Sequence, residues 1–254
     1  MRSVETVQSR CFFEADPDCS LFRRAFAELM GTFLLVLVLA GAKLNAFQVS
    51  GWIGDSSVLT CAIAAGAALA GLIFAFGAVS GGHFNPLITV LQMIFRERSS
   101  KCTLAYVIAQ FAGAVGGAYS AFLALGPADG RRGPPSQGYA WMFAEFIASA
   151  GLMLVVFGCM RSGRKEFGSL GVGIWLTALS IALPGTAANP AVAIGMAAAF
   201  PFEAVVARPL PLSWLMELTG ALLAGGVLFI LFPRDKAAAA SLSATEGVAN
   251  QSAD

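Results

Sequence analysis

Ser80-Gly81-Gly82-His83-Phe84-Asn85-Pro86-Leu87-Ile88-Thr89-Val90 is the stretch on which the fold turns. Asparagine is a favoured helix N-cap, and proline is pre-organised for the first helical position. Asn85-Pro86 therefore reads as the start of a helix, yet it sits inside a long apolar region. The pair recurs as Asn189-Pro190-Ala191, again within apolar surroundings. Two short helices, about 85–95 and 189–199, are expected, each too short to cross a bilayer. Interrupted apolar segments at corresponding places in two halves of a chain point to a permeation site between inverted repeats.

Composition supports a membrane protein. The chain is 57% hydrophobic and 12% charged, against about 25% charged in soluble domains. Six spanning helices are expected at about 22–42, 57–79, 102–125, 139–160, 168–184 and 212–232, which makes the fold class all-α. The expected domains are an N-terminal segment 1–21, a membrane domain 22–232 with repeats at about 22–125 and 139–232, and a C-terminal tail 233–254. Gly126, Pro127, Gly130, Pro134 and Pro135 mark the linker between the halves. The net charge of +1 carries no nucleic-acid signal. The five cysteines form no CxxC pair and suggest neither a disulfide framework nor a metal site. Residues 1–20 lack the apolar core of a signal peptide. All but four of the 16 Lys and Arg (Lys43, Arg131, Arg132 and Arg208) fall on the side of the termini, which places both termini in the cytoplasm.

The halves repeat in sequence. Phe26-Ala27-Glu28 opens the first helix and Phe143-Ala144-Glu145 the fourth, while Gln110-Phe111-Ala112-Gly113-Ala114 matches Glu217-Leu218-Thr219-Gly220-Ala221. An odd number of spans in each half requires the copies to insert in opposite directions. Gly116-Gly117 and Gly225-Gly226 permit close helix crossings.

The stretch Ser80–Val90 resembles the first signature of the major intrinsic proteins, the aquaporins and aquaglyceroporins. Ala27-Glu28-Leu29-Met30-Gly31-Thr32-Phe33 is similar to their first-helix signature, and Asn189-Pro190-Ala191 to their second loop motif. The resemblance covers about 22–232. It implies a six-helix bundle with two re-entrant half-helices, one pore per subunit and a homotetramer in a bacterial inner membrane. It also implies passive passage of small neutral solutes, with no cofactor, no catalytic residue and no bound metal. Asn85, Pro86 and Leu87 with Asn189, Pro190 and Ala191 would form the central constriction. Leu87 stands where the family has alanine.

Offsets from the two motifs carry the family's outer filter onto Ala65, Thr177, Thr186 and Val192. Most relatives have arginine at the last of these positions. With four small or medium side chains and two hydroxyls, the filter is expected to be wide. That favours solutes larger than water: glycerol, urea and, by resemblance to wide-filter bacterial members, uncharged metalloid hydroxides such as arsenous acid. Glu28 and Glu145 are ionisable groups within apolar helices, expected to brace the re-entrant loops, with Glu217 similar. His83, the only histidine, is expected to pack the first loop or line the cytoplasmic part of the pore. Rival readings are a general glycerol and water facilitator, a closed structural member, and a proton-coupled transporter using Glu28 and Glu145.

Overall fold

The structure, a computed structural model, describes residues 19–50, 55–126, 140–183, 185–200 and 209–232. The expected linker after Gly126, the C-terminal tail, and all but the end of the N-terminal segment lie outside the described residues. In chain order the helices are α1 (Leu21–Ser50), α2 (Asp55–Ser80), α3 (Pro86–Ile94), α4 (Ser100–Leu125), α5 (Ala140–Arg161), α6 (Gly168–Ala182), α7 (Pro190–Ala199) and α8 (Leu210–Leu231), with a 3-10 turn at Lys165–Phe167 before α6.

Five of these helices, α1, α2, α4, α5 and α8, are long and apolar enough to cross a membrane. α6 has 15 residues, a rise of about 22 Å, and is the shortest of the six expected spans. Its end has a cause in the sequence: Pro184 follows, and the residue before a proline is pushed out of the helical region. Leu183 accordingly has φ −129° and ψ 68°. α1 runs eight residues further than its hydropathy suggests, because apolar content marks what sits in lipid, whereas the backbone ladder continues wherever it stays bonded. Near that end, Gln48 Nε2 donates to the carbonyl of Leu125, the last residue of α4, satisfying one of the orphan acceptors at a helix C-terminus.

The bundle is inside-out relative to a water-soluble protein. Ile230 is 80% exposed and Phe22 77% exposed, while Glu28 and Glu217 are fully buried. With hydrocarbon as the solvent, apolar side chains lose nothing by facing outward, and backbone groups must find partners inside.

The repeat is visible in the packing. α1 crosses α4 and α5 crosses α8, each where a glycine lets two backbones meet. A Cβ on Gly113 would overlap the Leu29 carbonyl oxygen, and one on Gly220 would overlap that of Phe146. Leu29 and Phe146 each follow the matching glutamate, so the two crossings correspond residue for residue. Gly117 adds a second close approach, against the Phe33 carbonyl, and Gly66 meets Gly173 and Thr177 where α2 crosses α6. Gly226 meets nothing within 4 Å.

Gly117→Val is therefore expected to separate α1 from α4 and destabilise the bundle by about 3 kcal/mol or more, read as lost monodisperse yield and a lower melting temperature in detergent. Gly226→Ala should leave both unchanged.

Candidate functional site

α3 and α7 begin at the asparagines and face one another at their N-terminal ends. Asn85 and Asn189 are extended (φ −151°, ψ 119° and φ −164°, ψ 107°), the usual N-cap conformation. Asn85 Oδ1 accepts from Leu87 N at 2.9 Å. Asn189 Oδ1 accepts from Ala191 N at 3.0 Å and from Val192 N at 3.4 Å. The amide nitrogens are used differently. Asn85 Nδ2 donates across to the Ala188 carbonyl at 2.9 Å, and Asn189 Nδ2 donates back to the Phe84 carbonyl at 2.8 Å. This reciprocal pair locks the two helix starts together.

Each amide nitrogen carries two protons. The cross bond occupies one of them. The other remains for a partner in the space between the motifs.

The acceptors of the cross bonds come from strained residues. Phe84 and Ala188, each immediately before an asparagine, both have φ 47°, a left-handed conformation that costs an L-residue about 1–2 kcal/mol. Identical strain at matching positions turns each carbonyl toward the opposite asparagine. Nothing in the residue types at 84 and 188 announces this.

Buried glutamates hold the loops. Glu28 Oε1 accepts from Ser80 Oγ at 2.6 Å and His83 N at 3.0 Å, and its Oε2 accepts from Phe84 N at 2.7 Å and Gln110 Nε2 at 2.8 Å. Glu145 accepts from Ala187 N and Ala188 N, each at 3.0 Å. Asn189 N donates to Glu217 Oε1 at 3.3 Å. Loop N–H groups at 83, 84, 187, 188 and 189 thus find carboxylate oxygens where water is excluded.

His83 belongs to the first loop alone. Its Nδ1 lies 2.9 Å from Thr89 Oγ1, which also receives Gln110 Nε2 at 3.0 Å. Its Nε2 has no partner among the described residues, and the residue borders the central cavity. Tyr106 closes the loop's other side by donating to the Ser80 carbonyl at 2.8 Å.

That cavity lies at the junction of α3 and α7. Asn85, Asn189, His83, Gly82, Ala187 and Val192 border it, together with an apolar wall of Leu35, Leu39, Leu69, Ile73, Ile88, Leu152, Val156, Val172 and Leu176. It is narrow: about 30 Å³ is open to the centre of a water-sized sphere, room for roughly two waters. None of its lining residues is Asp, Glu, Lys or Arg.

Of the four residues expected to form an outer filter, Val192 borders this cavity and the other three do not. Ala65 is buried, one turn before Leu69 and two turns before Ile73, the two residues of the α2 wall. Thr177 is half-buried and its hydroxyl donates to Gly173 O at 3.1 Å, against Gly66 at the α2–α6 crossing. Its neighbour Leu176 is the residue that borders the cavity. Thr186, also half-buried, donates to Leu183 O at 2.9 Å. Both threonines commit their protons to their own chain and retain lone pairs. Leu87 is buried at the second position of α3. The aliphatic wall was not singled out in the sequence, although the i, i+4 pairs Leu35/Leu39 and Leu69/Ile73 carry the signal.

A family model described as major intrinsic protein matches residues 17–201. Aquaglyceroporin AqpS of Rhizobium meliloti (strain 1021) is 34% identical over 212 residues, covering 80% of this chain and 88% of the relative. Glycerol uptake facilitator protein-like 6 of Lactiplantibacillus plantarum is 32% identical over 187 residues, covering 69% and 83%. The X-ray structure of the aquaglyceroporin from Plasmodium falciparum superposes with a TM-score of 0.68 at 20% identity, over 82% of this chain and 96% of that one; this likeness is one of fold.

Replacing Glu28 by Ala strands four donors and should lower stability by about 3–5 kcal/mol, the scale of breaking a buried charged network. Glu28→Gln keeps one acceptor oxygen and should lose less. Thermal unfolding of both variants in detergent gives the order.

Proposed function

This chain belongs to the major intrinsic protein family, whose members are membrane channels rather than enzymes, and we propose that it passes small uncharged solutes, metalloid hydroxides such as arsenous acid and polyols such as glycerol, through a constriction at Asn85 and Asn189. As a member of that family, the chain is a multi-pass membrane protein and a passive channel for small solutes.

The observation that carries the finer reading is the reciprocal asparagine pair. Each side chain caps its helix with oxygen, braces the opposite loop with one N–H, and has a second N–H for the oxygen of a solute. Pro86 and Pro190 start each helix without an N–H, while Leu87 and Ala191 supply the N–H groups that hold the asparagine oxygens. Both N-terminal ends aim roughly half a positive charge at the same point, which disfavours protons and cations there. A neutral hydroxyl compound presents oxygens to these donors and slides past an apolar wall with little to hold it.

Small side chains at Ala65, Thr177, Thr186 and Val192 favour solutes broader than water, with the threonine lone pairs accepting from solute hydroxyls. Glycerol and arsenous acid both bring several O–H donors. The names of the relatives, aquaglyceroporin and glycerol uptake facilitator, agree with the polyol part of this reading; the metalloid part rests on the uncharged residue at 192. We place the chain in a bacterial inner membrane with both termini cytoplasmic, as a homotetramer. A coupled transporter would need a carboxylate that loads and releases protons during the cycle, and Glu28, fully buried and engaged by four donors, is built to stay as it is.

Flux into proteoliposomes under equal inward gradients tests this directly. Arsenous acid is expected to enter faster than glycerol, and both faster than into empty vesicles. Val192→Arg should lower entry of both by about tenfold, equivalent to about 1.4 kcal/mol. Glycerol entry equal to or above that of arsenous acid would mark a general facilitator, and flux unaffected by Val192→Arg would remove position 192 from the filter.

A further inference from the structure

The third residue of each half-helix, Ile88 on α3 and Val192 on α7, borders the central cavity. Each stands three positions after its asparagine, so the repeat relates the two directly. Side chains three apart along a helix share a face, which sets each aliphatic group beside the asparagine that starts its own helix. Both are buried. Leu87, one position earlier, is buried as well but does not border the cavity.

Two properties make this pair a steric limit. A β-branched side chain in a helix has one strongly preferred χ1 rotamer, so neither residue swings aside as readily as the leucines of the wall. The other β-branched residues of the wall, Ile73, Val156 and Val172, belong to α2, α5 and α6; only Ile88 and Val192 stand on the half-helices. The space is also small, with about 30 Å³ open to the centre of a water-sized sphere. A solute held by an asparagine N–H must therefore fit against the residue one turn on. Ala65, Thr177 and Thr186 do not border this space, so none of them trims it. Ile88 is larger than Val192 by one methylene, which makes the α3 side the tighter one.

We propose that Ile88 is the α3 counterpart of Val192 and sets the upper size limit for solutes passing the asparagine pair. This rests on the reading of the chain as a channel for uncharged solutes, and it adds a residue outside the four filter positions. One methylene more or less in an apolar pocket shifts discrimination about tenfold or more. The limit therefore falls between neighbouring members of a polyol series.

Entry of glycerol, erythritol and xylitol into proteoliposomes under equal inward gradients reads that limit. Wild type is expected to admit glycerol well and erythritol poorly. Ile88→Val should raise the ratio of erythritol to glycerol entry about tenfold, and Ile88→Ala should raise it further and admit xylitol. A ratio unchanged in both variants would overturn the assignment. So would an equal increase for all three polyols, the mark of a loosened bundle rather than a moved size limit. Equal entry of glycerol and xylitol in wild type, a measurement that needs no substitution, would overturn it too. Absence of both glycerol and arsenous acid entry in wild type would instead overturn the channel reading beneath it.

Discussion

Backbone hydrogen bonding in a medium without water is the constraint from which the rest of this structure follows. A loop that dips into the middle of an apolar bundle exposes N–H groups, each worth several kcal/mol if left unmatched. Two such loops lead here to α3 and α7. Their N–H groups are gathered by the carboxylates of Glu28 and Glu145, with Glu217 taking Asn189 N. The glutamates must be buried to reach the loops, and Glu28 and Glu145 each accept from more than one donor. Close crossings at Gly113 and Gly220 bring α4 and α8 against the helices that carry these glutamates.

Once the loops are held, the asparagines can do more than cap. Left-handed backbone at Phe84 and Ala188 directs their carbonyls across the symmetry axis, and each receives the opposite amide. The strain at these two residues is offset by the bonds that it makes possible. Neither motif can be displaced without loosening the other. The result is a fixed polar point in an otherwise aliphatic cavity.

The halves are not equivalent around that point. Around the first loop His83, Thr89 of α3 and Gln110 of α4 form a connected side-chain network, whereas the corresponding positions of the second half are Ala187, Ala193 and Glu217. His83, whose Nε2 has no partner among the described residues, borders the cavity on one side only. Along α7 the polarity changes from the positive start at Asn189 to a negative end beside Lys43. The two sides of that point thus differ in chemistry, even though the scaffold is a repeat.

Much of this was legible in the residues alone. The two Asn-Pro pairs, the paired Phe-Ala-Glu openings and apolar runs near bilayer length dictated helices, half-helices and a repeat, because capping preference and hydrophobic thickness are local properties. Helix ends were less legible: α1 continues past Lys43, and α6 stops at Leu183 before Pro184. The wall of the central cavity illustrates the limit more sharply. A rotation of 100° per residue decides that Leu176 is the α6 residue beside Thr177 that borders it, and that rotation is set by how Gly66 and Gly173 let α2 and α6 meet. The sequence by itself determined which segments are helical, where the two half-helices begin and which carboxylates lie buried. Only the tertiary structure decided the crossed asparagine bonds, the strained carbonyls and the aliphatic wall, since each depends on groups up to 105 positions apart whose meeting is fixed by packing rather than by local preference.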